Sequence, residues 1–178
     1  MAILETRHFR WPDEAACERF AQDLALVLCQ QARPGIGLDA SVELHGSLGA
    51  GKTSLVRHLL RALGVSGRIK SPSYAVLESY ALDGELGEVS HFDFYRFDDP
   101  REWEDAGFRD VFARPGLKLS EWPEKAVGML PKPDLALHIA VQDDDSRRLR
   151  VETATARGQV LLQALAAALP AELQEHAA

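Results

Sequence analysis

The run Val-Glu-Leu-His-Gly-Ser-Leu-Gly-Ala-Gly-Lys-Thr at residues 42–53 restricts the fold of this chain more than any other stretch. Val42 to His45 alternate apolar and polar side chains and predict a buried strand. Gly46 through Thr53 then satisfy Gly-x-x-x-x-Gly-Lys-[Ser/Thr] at every fixed position, and Leu55, Leu59, Leu60 and Leu63 follow at helical spacing. Strand, glycine loop and helix in that order build a phosphate cradle. Gly46, Gly49 and Gly51 let the backbone curl so that successive N–H groups point inward at phosphate oxygens, and the helix start adds partial positive charge. On this reading Lys52 reaches the β- and γ-phosphates of a nucleoside triphosphate, and the Thr53 hydroxyl holds Mg²⁺.

Composition narrows the setting. A chain of 178 residues with 46% hydrophobic and 26% charged side chains has the material for one full-sized core. No apolar run reaches transmembrane length, and Met-Ala-Ile-Leu-Glu turns polar at once, so neither a membrane span nor a signal peptide is expected. Cys17 and Cys29 fall in one predicted helix, without bridging or metal-ligand spacing, which suits a reducing cytoplasm. The net charge of −7 argues against tight autonomous binding to nucleic acid. One basic run, Arg57, Arg61, Arg68 and Lys70, reads either as solvated helix surface or as a footprint for a partner or phosphate.

The remaining elements are predicted in order. Ile3 to Phe9 forms a short strand, and Pro12 takes the first position of a helix striped by Phe20, Leu24, Val27 and Leu28 and closed by Pro34-Gly35. Gly64 ends the helix after the glycine loop. Residues 68–74 are a loop; Ala75–Leu82 and Leu86–Phe92 form an antiparallel hairpin around Asp83-Gly84. Asp98, Asp99 and Pro100 open a short acidic helix ending near Gly107, and Leu117–Leu119 is a strand delivering Ser120, Glu121 and Trp122. Leu135–Val141 and Arg148–Thr155 make a last hairpin, and Gly158–Leu169 an amphipathic helix. The expected fold is a single α/β P-loop domain over residues 1–170, with 171–178 a frayed tail.

Phosphoryl chemistry needs a fixed metal, a placed nucleophile and a sensor of the γ-phosphate. Asp93 ends an apolar strand and acts on Mg²⁺ directly or through a water, unless it is merely a surface carboxylate at a strand end. Glu121 also ends a strand and either ligates Mg²⁺ or orients the attacking water. Trp122 beside it packs in the core or shields the site. Ser71 and Ser73 sit where γ-phosphate sensors commonly lie, or in a plain turn. Arg96 either neutralises transition-state charge or pairs with Asp98 or Asp99. His45, His58 and His91 are expected to be structural rather than a metal cluster, with His91-x-Asp93 the one pair to follow. The chain has no asparagine, so the Asn-Lys-x-Asp element that selects guanine cannot form. Adenine is the expected base, and Glu14 is the candidate acceptor for its exocyclic amine.

Four segments fall in a familiar order: Gly46-Ser-Leu-Gly-Ala-Gly-Lys-Thr53, Lys70-Ser-Pro-Ser-Tyr74, His91-Phe-Asp-Phe-Tyr-Arg96 and Ser120-Glu-Trp-Pro123. Together they resemble the TsaE family (formerly YjeE), bacterial ATPases needed to form threonylcarbamoyladenosine in tRNA. The likeness covers roughly Ser41 to Pro131, about half of the chain. It implies a central sheet with flanking helices, and ATP held by Gly49, Ala50, Gly51, Lys52, Thr53 and Ser54. It also implies Mg²⁺ near Thr53 and Glu121, with Asp93 essential for hydrolysis. The implied partners are TsaD and TsaB, which modify the adenosine beside the anticodon in tRNAs reading codons that begin with A. The implied ATP cycle resets that pair between turnovers, so tRNA is met only indirectly. Ser47, Ser73 and Phe94 stand where the family usually has Asp, Thr and Leu. Ser73 keeps the hydroxyl, and Ser47 loses a carboxylate near the cradle.

Three function classes follow. The first is an ATPase that works as a switch on partner proteins, with Lys52, Asp93 and Glu121 as its catalytic residues. The second is a small-molecule kinase on the same loop, though the arginine-rich lid usual in kinases is missing from the sequence. The third is an interaction module with a vestigial pocket, against which the intact Lys52, Thr53, Asp93 and Glu121 speak.

Overall fold

The structure, a computed structural model, describes residues 2–72 and 74–175. Strands β1 (Glu5–Trp11), β2 (Asp39–His45), β3 (Leu77–Ala81), β4 (Glu88–Asp93), β5 (Gly116–Glu121), β6 (Leu135–Val141), β7 (Arg147–Thr153) and β8 (Gln174–Glu175) form one sheet. Its order is β3-β4-β5-β2-β6-β7-β1-β8. The four central strands β4, β5, β2 and β6 run parallel, while β3, β7 and β1 pair antiparallel with their neighbours. Helices α1 (Glu14–Gln30), α2 (Lys52–Ala62), α3 (Pro100–Asp105), α4 (Phe108–Ala113) and α5 (Ala156–Ala168) flank the sheet.

Period-two alternation sorts the strand side chains into two layers. Ala40, Val42 and Leu44 of β2 join Leu117 and Leu119 of β5 and Leu135, Leu137 and Ile139 of β6 on one face. There they meet Phe20 and Leu24 of α1, Leu55, Leu59 and Leu60 of α2, and Leu161, Leu162 and Leu165 of α5 in the main core. Full burial stabilises by about 1.5–3 kcal/mol for each such side chain. The opposite face carries a smaller aromatic cluster under α3 and α4, built from Phe92, Phe94, Phe97, Trp103 and Phe108. Phe92 lies between His91 and Asp93 in β4, so the aromatic layer takes Phe92 and leaves its two neighbours on the α2 side.

Some boundaries differ from the sequence reading for local reasons. Asp13, not Pro12, sets the start of α1: its carboxylate accepts from the Ala16 N–H, which places Pro12 outside the helix. That helix stops at Gln30, and Pro34-Gly35 instead turns the chain within an Arg33–Gly37 bridge. The helix α4, after Gly107 with its φ of +69°, was not anticipated. The residues expected to fray are partly docked. Leu173 is buried, the Gln174 side-chain amide donates to the Ala166 and Leu169 carbonyls at the end of α5, and Gln174 and Glu175 pair with Phe9 and His8. Among the described residues no helix is long and apolar enough to cross a membrane.

Candidate functional site

The loop between β2 and α2 is shaped by two glycines that no other residue could replace without strain. Gly46 has φ +151°, and a Cβ there would lie 2.6 Å from the Ile139 carbonyl oxygen of β6. Gly51 sits at φ +108° as the residue before α2 and offers no side chain to cap the helix. By contrast α1 and α5 are capped by the side chains of Asp13 and Thr155. The first-turn N–H groups of α2 are therefore not taken by a side-chain cap, the arrangement an anion requires. Lys52, a residue only 4% exposed, opens α2 and donates from its ammonium to the Gly46 and Ser47 carbonyls at 2.6 and 2.9 Å. Burial pushes this ammonium below the ordinary lysine range, against the pull of Glu121, Glu124 and Asp93.

The two expected carboxylates converge on this lysine. Asp93 and Glu121 end adjacent parallel strands as register partners, and β2 lies on the other side of β5 with Leu44 opposite Glu121. Ligands of open α/β sheets collect at such carboxyl ends. The Thr53 hydroxyl donates to Glu121 Oε2 at 2.8 Å, and His91 Nε2 lies 2.9 Å from Glu121 Oε1. Asp93 Oδ1 accepts from the Tyr95 N–H at 3.0 Å. A cleft of about 240 Å³ is lined by Leu48 to Ser54, Ser71, Asp93, Tyr95, Glu121 and Trp122. Trp122, held at φ +57°, lays its ring 3.8 Å from the Lys52 ammonium and so belongs to the site wall.

The donor set fits a triphosphate-bound magnesium ion. Thr53 and Glu121 supply one hydroxyl and one buried carboxylate beside a cradle of backbone N–H groups. Magnesium usually takes one or two carboxylates, several waters and phosphate oxygens rather than a cage made wholly of protein. The described residues include no group of three or more His, Cys, Asp or Glu placed to hold a metal by themselves.

A second cleft of about 200 Å³ adjoins the loop on the α1 side, lined by Trp11, Asp13, Glu14, Cys17, Ala50, Gly51, Ser54, Asp145 and Arg147. Glu14 is among the lining residues, with Oε1 3.2 Å from His58 Nε2. Arg147 was missed by sequence reasoning. It donates from Nε to the Ala50 carbonyl at 3.1 Å and ties β7 to the glycine loop, and no local motif announces it. Burial pushes the Cys17 thiol up to about 12, so it stays protonated beside this cleft.

Other expected residues divide. Ser71 lines the cleft beside Lys52, whereas Ser73 lies outside the described residues. Arg96 stacks on Tyr74, 4.4 Å from the ring centre, while Asp99 pairs with Arg101 and Asp98 with Lys125. In the basic run, Arg61 bonds the Val65 and Gly67 carbonyls and closes the turn after α2. His45 stacks on His138 with ring centres 4.5 Å apart, away from His91.

Known proteins match this arrangement across most of the chain. The family model described as threonylcarbamoyl adenosine biosynthesis protein TsaE matches residues 11–149. The tRNA threonylcarbamoyladenosine biosynthesis protein TsaE of Haemophilus influenzae is 37% identical over 153 residues, covering 86% of this chain and 93% of the relative. Its Bacillus subtilis counterpart is 33% identical over 142 residues, with coverages of 80% and 85%. A crystal structure of Bacillus subtilis YdiB superposes with a TM-score of 0.70 over 94% of this chain and 97% of that one; at 23% identity this is a likeness of fold. With the glycine loop, Asp93 and Glu121 all inside the matched span, the chain belongs to the TsaE family.

Proposed function

We propose that the chain binds ATP with Mg²⁺ and hydrolyses it, and that this cycle serves threonylcarbamoyladenosine formation in tRNA by resetting TsaD and TsaB between turnovers. The observation that carries the reading is the Thr53–Glu121 hydrogen bond, which joins the start of α2 to the end of β5. A hydroxyl that donates to a buried carboxylate keeps its lone pairs for a cation, so Thr53 and Glu121 would hold the magnesium ion together. Bound there, the ion would neutralise charge on the β- and γ-phosphates.

Each protein group has a separable task. The N–H groups at the start of α2 bind phosphate oxygens, and the Lys52 ammonium exchanges its two carbonyl acceptors for the β- and γ-phosphates. Asp93, facing the same cleft, orients water or supports the ion from one side. Trp122 and Tyr95 limit water around the reacting phosphate. Glu14 accepts from the adenine amine in the adjoining cleft, where Trp11 and Arg147 supply the remaining walls. The implied setting is a reducing cytoplasm, and tRNA is reached through the partners rather than directly.

The test is phosphate release by the purified chain, alone and with TsaD–TsaB. Slow release that rises on adding the pair, and vanishes in Lys52→Ala, is the expected result. A rate that ignores the partners, with label transferred to a small-molecule acceptor instead of water, would establish a kinase on the same loop.

A further inference from the structure

His91 has no task in the scheme above, yet its position is costly. It is fully buried in β4, two residues before Asp93 and therefore on the same face of the sheet. One ring nitrogen, Nδ1, is buried without a hydrogen-bond partner among the described residues. The other, Nε2, lies 2.9 Å from Glu121 Oε1. An apolar side chain would fill the same space without burying an unpaired nitrogen. What the imidazole gains it gains at Nε2, by donating to the carboxylate. Glu121 is thereby held at both oxygens, Oε1 by His91 and Oε2 by Thr53. A carboxylate fixed at both ends cannot turn about its last torsion, and it presents its free lone pairs in one direction.

We infer that His91 is a positioning residue for the cation: it acts through Glu121, setting the carboxylate plane that the Thr53–Glu121 pair offers to magnesium. This rests on the reading above that Thr53 and Glu121 hold the ion. Outer-shell partners of metal ligands commonly change metal affinity by about 10–100-fold when removed.

The test measures equilibrium binding of a fluorescent ATP analogue against magnesium concentration, with thermal melts to show that each variant folds. In His91→Leu the magnesium needed for half-maximal tightening should rise about tenfold, with magnesium-free affinity unchanged. His91→Gln, whose amide N–H reaches about as far as Nε2, should recover most of the loss. His91→Asn, whose amide stops near the position of Nδ1, should not. A wild-type magnesium dependence in folded His91→Leu, or equal losses in the Leu and Gln variants, overturns the inference and leaves the metal reading standing. Wild-type binding that ignores magnesium overturns the metal reading itself, and this inference with it.

Discussion

Asp93 and Glu121 stand side by side as register partners at the carboxyl ends of β4 and β5, yet their side chains are engaged differently. Glu121 is fixed by Thr53 of α2 and His91 of β4. Asp93 accepts from the backbone of Tyr95 and faces the cleft from one strand further out. Adjacency in a parallel pair thus delivers two carboxylates with different hydrogen-bond partners.

That inequality predicts different rescue behaviour. Glu121→Ala removes the acceptor of the Thr53 hydroxyl and should lower magnesium-dependent turnover by about 100-fold, without recovery at high magnesium. Asp93→Asn should lower turnover too, but raised magnesium should restore part of it. Phosphate release across a magnesium series checks both. Full activity in Glu121→Ala would remove that residue from the site.

On the proposed function, Glu14 in the adjoining cleft accepts from the adenine amine. Losing one hydrogen bond to a charged acceptor costs about 1.5–3 kcal/mol, so Glu14→Ala should weaken ATP binding about tenfold or more. Binding of inorganic tripolyphosphate, which carries no base, should stay as in the wild type. Titration calorimetry with the two ligands separates the contributions, and equal losses for both would mean that Glu14 acts on the loop instead.

Gly158 should be the least replaceable glycine for stability. A Cβ there would lie 1.9 Å from the Asp134 carbonyl oxygen and 2.2 Å from Thr153 Oγ1, so the start of α5 would have to move. Gly158→Ala should destabilise by about 3 kcal/mol and lower the melting temperature by about 10 °C. An unchanged melt would show that α5 shifts freely.

His138 gives the fold a pH dependence. Burial holds its imidazole below the ordinary value of 6.5, helped by the neighbouring His45 and Arg150 and opposed by Glu152. The unfolded chain therefore binds a proton that the folded chain resists. Stability is complete above about pH 6.5 and falls as the pH drops below it. Denaturant melts between pH 7.5 and 5 should show this decline, and His138→Gln should flatten it. Identical slopes in the two proteins would exclude His138 as the source.

Much of this was legible in the sequence because its determinants are local. Glycine spacing, strand alternation and the Asp83-Gly84 turn are each written within about ten residues, and the structure has all three elements. The edges of α1 were less legible, since Asp13 and Pro12 are both good start signals and only the hydrogen bond to Ala16 decides between them. Arg147 and Gln174 act across the sheet or back onto a preceding helix, and no short-range pattern encodes such contacts. His91 had a faint signal: two residues from Asp93 in a strand, it had to share that residue's face. What period two cannot say is that its ring meets Glu121 from the next strand.

The docked carboxyl end has a practical consequence. Without Leu173 to Glu175, β1 would lose its backbone pairing at His8 and Phe9 on its outer edge, and α5 would lose the amide that covers its last carbonyls. Trimming the chain at Pro170 should therefore invite edge-to-edge association, so that a shortened protein is lost to aggregates even though every residue of the candidate site is retained.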